Sequence, residues 1–163
     1  MRILKYIAKV ALNIPFVRKY NIWYKMLGIQ QLGRNFKAAF FSVIGDYRNI
    51  YLHDNAEINP GCFLVAKARI EIGKNSTLAY RVTVLTSANP NGPENKLYSL
   101  YPEKIAPVTI GNNVWVGANV TILPGVTIGD CCVIAAGSVV TRDIPEKVLA
   151  AGNPAVVKKH LEL

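Results

Sequence analysis

Side chains that can exchange a proton gather in one stretch of this 163-residue sequence, between Ser87 and Pro107. They are Glu94, Tyr98, Tyr101 and Glu103. A carboxylate or a phenol placed beside a reacting hydroxyl or amine acts as a general base or acid. The stretch also contains four prolines and one glycine, a composition typical of a loop. Because long loops in compact proteins often carry function, we predict that this loop belongs to a site.

Histidine and cysteine, which serve as bases, nucleophiles and metal ligands, are scarce. His53 and His160 stand far apart in the sequence; we interpret His53 as structural and His160 as exposed in the C-terminal tail. Cys62, Cys131 and Cys132 provide no disulfide framework, which fits a reducing cytoplasm. Since the sequence has no metal-ligand spacing, we expect no metal site.

The element that must position these groups is indicated by a six-residue period. An Ile or Val falls on every sixth position of one segment, at Ile110, Val116, Ile122, Ile128, Ile134 and Val140. A chain wound as a triangular prism has this period, since each side is a short strand and each corner a turn. Small residues after the aliphatic ones, as at Gly111 and Gly117, suit tight corners. The period therefore predicts a parallel β-helix with these side chains pointing inward.

The same register is predicted earlier in the chain, at Ile44, Ile50, Ala56 and Cys62. After a four-residue slip near Ala68, it continues at Ile72, Leu78 and Val84. We thus predict a helical N-terminal segment over residues 1–43, a β-helix over residues 44–145 with the loop 87–107 protruding, and a C-terminal tail over residues 146–163.

Positive charge is concentrated before the β-helix. Residues 1–48 hold nine of the 19 Lys and Arg residues and one acidic residue, so nearly all of the net charge of +9 lies there. An apolar stripe predicts an amphipathic helix in this segment, at Ile3, Ile7, Val10 and Ile14. The helix either caps the open end of the β-helix or lies on an anionic membrane, and the two roles can coexist.

The basic segment is not expected to be a secretory signal, a membrane span or a nucleic-acid-binding element. Lys5 and Lys9 interrupt the apolar stretch that a secretory signal peptide needs. No apolar run is long enough to span a bilayer. The basic residues lack an accompanying recognition motif, so we expect no nucleic acid partner.

Four segments occur in the order found in a known family, and they carry a resemblance that covers residues 44–160. They are Ile110–Gly117, Ile122–Gly129, Ala136–Pro145 and Ala151–Ala155. They resemble the hexapeptide-repeat acyltransferases, and within these the galactoside, maltose, antibiotic and polysaccharide O-acetyltransferases. The resemblance implies a left-handed β-helix, a homotrimer, and acetyl transfer from acetyl-CoA to a sugar or polysaccharide precursor. Our leading hypothesis includes a precursor carried on lipid at the inner membrane face.

The resemblance also implies which residues bind coenzyme A, because the family holds its arm in a groove between subunits. The matching positions are Trp115, Ala118, Ala136, Thr141, Arg142 and Lys159. The two alanines correspond to contacts with the pantetheine, and the last three residues to the nucleotide and its phosphates. Trp115 is predicted near a corner, lining the groove rather than filling the core.

The sequence departs from the family pattern where the proton is removed. The family loop carries a His before a Pro, whereas here Asn89 precedes Pro90, and an amide is not a base. Asn59 matches a family residue that contacts the acceptor or the oxyanion, although Asn before Pro is also a turn signal. Lys67 lies where sugar-specific relatives carry an acidic ligand, so a simple galactoside is not the expected acceptor.

The missing His is compatible with three hypotheses, which stay open. Another loop group, namely Glu94, Tyr98, Tyr101 or Glu103, acts as the base; the acceptor is an amine that needs little help; or catalysis is lost. The last case describes a second class of function, a β-helix that binds coenzyme A or a partner without turnover. A third class, a carbonic anhydrase on a similar β-helix, needs three zinc-binding histidines and is disfavoured by two.

Overall fold

The computed structural model describes residues 27–31, 33–38, 41–89 and 92–163 of the chain. The amphipathic helix predicted at Ile3, Ile7, Val10 and Ile14 lies outside these residues. The described chain is built almost wholly from short strands that wind around one axis. Within these ranges, no helix is long and apolar enough to cross a membrane.

The strands form three flat faces. Each of the five complete coils contributes one strand to every face, and β18 and β19 extend face B beyond them. Face A contains β1 (Gln30–Gln31), β4 (Ile50–Leu52), β7 (Ile70–Ile72), β12 (Val108–Ile110) and β15 (Thr127–Ile128). Face B contains β2 (Lys37–Ala38), β5 (Glu57–Ile58), β8 (Thr77–Leu78), β13 (Trp115–Val116), β16 (Val133–Ile134), β18 (Val148–Gly152) and β19 (Ala155–His160). Face C contains β3 (Ser42–Gly45), β6 (Phe63–Ala66), β9 (Thr83–Leu85), β14 (Thr121–Ile122) and β17 (Val139–Val140).

Strands of successive coils pair in parallel on every face, and side chains at equivalent positions therefore stack in rows. On face A, for example, Leu52 pairs with Ile72, and Ile72 with Ile110. All three are fully buried, and the core is the column of such residues along the axis. Burial of these aliphatic side chains is the main driving force for the fold.

The predicted register is right from Ile72 onward and wrong by two positions before the slip near Ala68. Leu52, rather than Ile50, aligns with Ile110, and Ile50 occupies a second buried position two residues earlier. Ile44 is 54% exposed on face C instead of pointing inward. The sequence pattern could not separate the two registers, because both inward positions of each side are filled by small or aliphatic residues.

The slip near Ala68 follows from the length of the early coils. From Tyr51 to its partner Glu71 the chain takes 20 residues, whereas from Thr109 to its partner Thr127 it takes 18. The two extra residues lie at the corner between faces C and A, called the C–A corner below. In the first coil this corner contains a short 3-10 turn, Tyr47–Asn49.

At the corner between faces A and B, asparagines stack in a ladder. Asn55, Asn75 and Asn113 adopt φ values of 57°, 56° and 55°. Asparagine tolerates this left-handed conformation better than other residues with a Cβ. The Asn55 side-chain amide donates to Asn75 at 2.9 Å, and that of Asn75 donates to Asn113 at 3.0 Å. The ladder fixes the turn and the alignment of three coils together.

The described solenoid extends beyond the predicted residues 44–145 at both ends. Strands β1 and β2 and the start of β3 precede residue 44, and they pair in parallel with the second coil. The segment predicted as a tail folds into β18 and β19, which pair antiparallel at the end of face B.

The long loop leaves the solenoid at the C–A corner after the third coil. It opens with an antiparallel pair, β10 (Ser87–Ala88) and β11 (Lys104–Ile105), so it is a protruding hairpin at its base. Thr86 anchors this base: its fully buried hydroxyl donates to the Val65 carbonyl at 2.6 Å and accepts from the Ala68 amide at 2.9 Å. Thr86 thus ties the loop to the extra residues of the preceding corner.

Replacing Thr86 with Val preserves the shape of the side chain but leaves the partly buried Ala68 amide without the hydroxyl that accepts its hydrogen bond. The Val65 carbonyl loses the hydroxyl donor and keeps the backbone amide of residue 86. We predict a loss of about 1–3 kcal/mol in the free energy of unfolding, because a buried polar group without a hydrogen bond is costly. Denaturant unfolding at a fixed protein concentration measures it. The matched control, Thr109→Val on the outer side of face A, should change stability by less than about 0.5 kcal/mol. Equal effects of the two changes would contradict the anchoring role.

Candidate active site

The corner between faces B and C, called the B–C corner, presents one row of residues from successive coils. Hydrogen bonds between coils define the row: the amides of Arg81, Asn119 and Gly137 donate to the carbonyls of Pro60, Tyr80 and Ala118, at 3.2, 3.0 and 2.8 Å. The row therefore runs Pro60, Tyr80, Ala118 and Ala136. It places the two alanines predicted to bind pantetheine on neighbouring coils, about 4.8 Å apart along the axis.

Asn59 lies at the lower end of this row, immediately before Pro60. Its backbone amide and its side-chain amide donate to the Leu78 carbonyl, at 3.0 and 3.1 Å. These bonds hold the Asn59 side chain in place against the next coil. They also support the turn role that was the alternative interpretation of this residue.

Trp115 lies on the flat surface of face B, in β13, and 59% of it is exposed. The prediction that it stays out of the core agrees with this exposure, whereas its placement near a corner is wrong. Trp115 pairs with Val133, Val133 with Leu149, and Leu149 with Lys159. An exposed ring and an exposed ammonium therefore share one row, three strand spacings or about 14 Å apart.

The C–A corner gathers a second group of polar side chains around Glu103. One carboxylate oxygen of Glu103 accepts from Lys67 Nζ at 2.5 Å and from Asn89 Nδ2 at 3.1 Å. These hydrogen bonds, first that of Lys67 and then that of Asn89, lower the pKa of Glu103. The side chain of the predicted base position, Asn89, is thus oriented by a carboxylate from the far strand of the loop.

The other candidate bases of the loop lie farther out. Glu94 and Tyr101 are exposed, and Tyr98 is partly covered. All three belong to a series of turns between Gly92 and Leu100 or directly after it. Of the four proton-exchanging side chains predicted from the sequence, Glu103 is the one that accepts a hydrogen bond from Asn89.

Thr141 and Arg142 follow β17 and also lie at the C–A corner, exposed, three coils above Lys67. They are separated from Ala136, at the B–C corner of the same coil, by the width of face C. Asn59 and Asn89 are separated in the same way. Face C spans four to five extended residues, or about 15 Å. Apart from Trp115 and Lys159 on face B, a single chain therefore presents the predicted site residues as two half-sites on opposite edges of face C.

His53 belongs to neither half-site. On face A its Nε2 lies 2.7 Å from Glu71 Oε1, and the other oxygen of Glu71 accepts from Arg69 at 2.8 Å. The Arg69 guanidinium stacks 4.1 Å from the centre of the Tyr51 ring. This network agrees with the structural role predicted for His53.

In the described part of the chain, no group of three His, Cys, Asp or Glu side chains could hold a metal ion.

The chain matches a known protein family in sequence and in structure. A family model for the bacterial transferase hexapeptide, six repeats, matches residues 107–142. The galactoside O-acetyltransferase of Escherichia coli is 42% identical over 117 residues, covering 69% of this chain and 55% of the relative. A maltose O-acetyltransferase structure from Clostridium difficile 630 is 35% identical, with a TM-score of 0.82 over 98% of this chain and 85% of that one.

The chain belongs to the hexapeptide-repeat acetyltransferases. The prediction of a left-handed parallel β-helix is thereby confirmed. A galactoside acetyltransferase structure in complex with coenzyme A is 31% identical, with a TM-score of 0.70 over 98% of this chain and 81% of that one. The chain spans about half the length of the curated relatives that it matches, 58% and 55% for two of them.

Replacing Lys67 with Met removes the larger of the two influences on Glu103, so the pKa of Glu103 should rise toward its ordinary value. Carboxyl chemical shifts followed by NMR during a pH titration measure this change. Because folding lowers this pKa, the pair stabilises the folded state above the unfolded-state pKa and is lost as the pH falls through the folded value. The control Lys74→Met, at another corner, should leave Glu103 unchanged. An unchanged titration in Lys67→Met would contradict the pairing.

Proposed function

We propose that the protein is an acetyl-CoA-dependent acetyltransferase that acetylates an amine or a hydroxyl of a sugar or polysaccharide precursor. In the reaction, a lone pair of the acceptor attacks the thioester carbonyl, the carbon–sulfur bond breaks, and the acceptor proton leaves to solvent or to the released thiolate. The proposal requires a groove for the carrier and a place where the acceptor meets the thioester.

The observation that carries the proposal is the matching order of the two half-sites along the axis. At the B–C corner, Asn59 lies on the second coil and Ala136 on the fifth. At the C–A corner, Asn89 follows the third coil and Arg142 the fifth. If two copies stand side by side with parallel axes, Asn59 of one copy lies near Asn89 of the other, where the acceptor would react. In the same way, Ala136 of one copy lies near Arg142 of the other, where coenzyme A would bind. The carrier would then run along the axis between two chains.

Face C supports such an assembly, because it carries an apolar row on its outer side. The row consists of Ile44, Val65, Leu85 and Leu123. An outer row on face A, by contrast, is largely polar, with Tyr51, Glu71, Thr109 and Thr127. Burying face C around a three-fold axis would remove the apolar row from water. A closed trimer would also bring each B–C corner against a neighbour's C–A corner, completing three sites.

The protruding loop supports the same assembly. Leu97, Leu100, Tyr101 and Ile105 are each at least half exposed on it. Exposed apolar residues grouped in this way mark a contact surface rather than a solvated loop. The loop leaves from the C–A corner, which is the corner that would face the neighbouring chain.

For the acceptor, we propose an amine. Asn89 occupies the position of the base, and the carboxylate joined to it, Glu103, is held ionised by Lys67 with a lowered pKa. A base works best when its pKa lies near the operating pH, so a lowered pKa makes Glu103 a weaker base. An amine with a pKa near 8 is partly deprotonated at neutral pH and attacks the thioester without such help.

Partners and location form the rest of the proposal. We propose a lipid-linked acceptor and contact with an anionic membrane because residues 1–48 carry most of the positive charge. Both features fit a cytoplasmic protein at the inner membrane face. A β-helix that binds coenzyme A without turnover is the second candidate function, which the absence of a His at position 89 favours.

Acetyl transfer from acetyl-CoA to glucosamine, with glucose as the matched neutral sugar, tests the proposal through thiol release and product mass. We predict transfer to glucosamine that rises about tenfold per pH unit below the pKa of the amine and then levels off, following its deprotonated fraction. Glucose should react on the order of 100-fold more slowly, because a hydroxyl needs a base.

The change Glu103→Gln separates this proposal from its alternatives. It should lower the transfer to glucosamine by less than about tenfold, since no proton is passed to Glu103. Acetylation of glucose that is abolished by Glu103→Gln would instead establish a recruited base and overturn the amine proposal. Binding of coenzyme A with no transfer to either sugar would support the non-enzymatic alternative.

A further inference from the structure

An aromatic side chain interrupts the row of small residues at the B–C corner. Above it stand Ala118 and Ala136, whose methyl groups leave the corner shallow. The next residue down the row is Tyr80, and 59% of it is exposed. Below Tyr80 come Pro60 and the anchored side chain of Asn59.

The position of Tyr80 follows from the stacking of the coils. The Asn119 amide donates to the Tyr80 carbonyl at 3.0 Å, so Tyr80 lies directly below the Ala118–Asn119 turn. Coils are about 4.8 Å apart, and Tyr80 therefore stands one coil below Ala118 and one above Pro60. A chain that passed down the row over Ala136 and Ala118 would meet the Tyr80 side chain next.

We propose that Tyr80 sets the length of the acyl group by blocking the row just beyond the thioester. The inference rests on the proposed function, in which the arm of coenzyme A lies over Ala136 and Ala118 with its sulfur toward Asn59. An acetyl group ends before the tyrosine ring. A longer acyl chain would have to continue into the space that the ring occupies.

The exposure of Tyr80 favours this role over a structural one. A tyrosine that served the fold would bury its ring, as the core residues of the same coil do. The ring instead projects from a corner that otherwise carries Pro and Ala. Its hydroxyl could also donate to the thioester carbonyl, and the experiment separates that role from the steric one.

The experiment compares acetyl-CoA with butyryl-CoA and hexanoyl-CoA as donors to glucosamine, in the wild type, Tyr80→Ala and Tyr80→Phe. Tyr80→Ala should raise the kcat/KM ratio of butyryl-CoA to acetyl-CoA by about tenfold to a hundredfold, the range that pocket size typically gives. Tyr80→Phe keeps the ring and should leave that ratio and the acetyl rate within about threefold. Tyr51→Ala, on face A, is the matched control and should leave the ratio unchanged.

Three outcomes would overturn the inference. An unchanged ratio in Tyr80→Ala shows that the ring does not limit the acyl chain. A large loss of acetyl transfer in Tyr80→Phe shows that the hydroxyl acts in the reaction instead. If the wild type neither binds nor uses acetyl-CoA, the proposed function fails and the inference fails with it. If the wild type transfers acetyl groups but Tyr80→Ala leaves the ratio of butyryl-CoA to acetyl-CoA unchanged, the inference about Tyr80 fails and the proposed function stands.

Discussion

The stacking of one coil's backbone directly on the next is the constraint on which the rest of the structure depends. A Cβ added at Gly73 would lie 2.3 Å from the Gly111 carbonyl oxygen, and one at Gly117 would lie 2.6 Å from the Ala136 amide. Such contacts are impossible without a backbone shift, so these positions must be glycine. In return, equivalent residues of successive coils align in straight rows, and a row can present a binding surface as long as the solenoid.

The sequence predicted the parts of the fold that repeat. A six-residue period, with a small residue after four of the six aliphatic ones, is enough to predict the three-sided coil between Ile110 and Val140. The predicted register failed before the slip near Ala68, because a coil of 20 residues breaks the period and both inward positions carry small or aliphatic residues. The sequence could not predict the pairing of Lys67 with Glu103, since that contact depends on how the loop folds back. Charges 36 positions apart give no signal in a single sequence.

The separation of the half-sites fits the groove between subunits that the family resemblance implies, but no pattern within this one sequence indicates it. Asn59 and Asn89, and likewise Ala136 and Arg142, were predicted to act together, yet each pair is divided by face C in one chain. Position along the chain gives the coil and the corner of a residue, but not which chain it faces. In the proposed assembly, a site that is incomplete in one copy would link catalysis to assembly, and burial between copies would account for the apolar outer row of face C.

Mixed assemblies test the shared site most directly. Ala118→Trp blocks the B–C corner and Asn89→Trp the C–A corner, and each variant alone should be inactive. When the two variants are co-expressed, they assemble at random into mixed trimers. A site in such a trimer is intact if the Asn89→Trp copy provides its B–C corner and the Ala118→Trp copy provides its C–A corner. About one quarter of the sites should then recover acetyl transfer. Mixed trimers that remain as inactive as their parents would contradict a site shared between neighbouring chains.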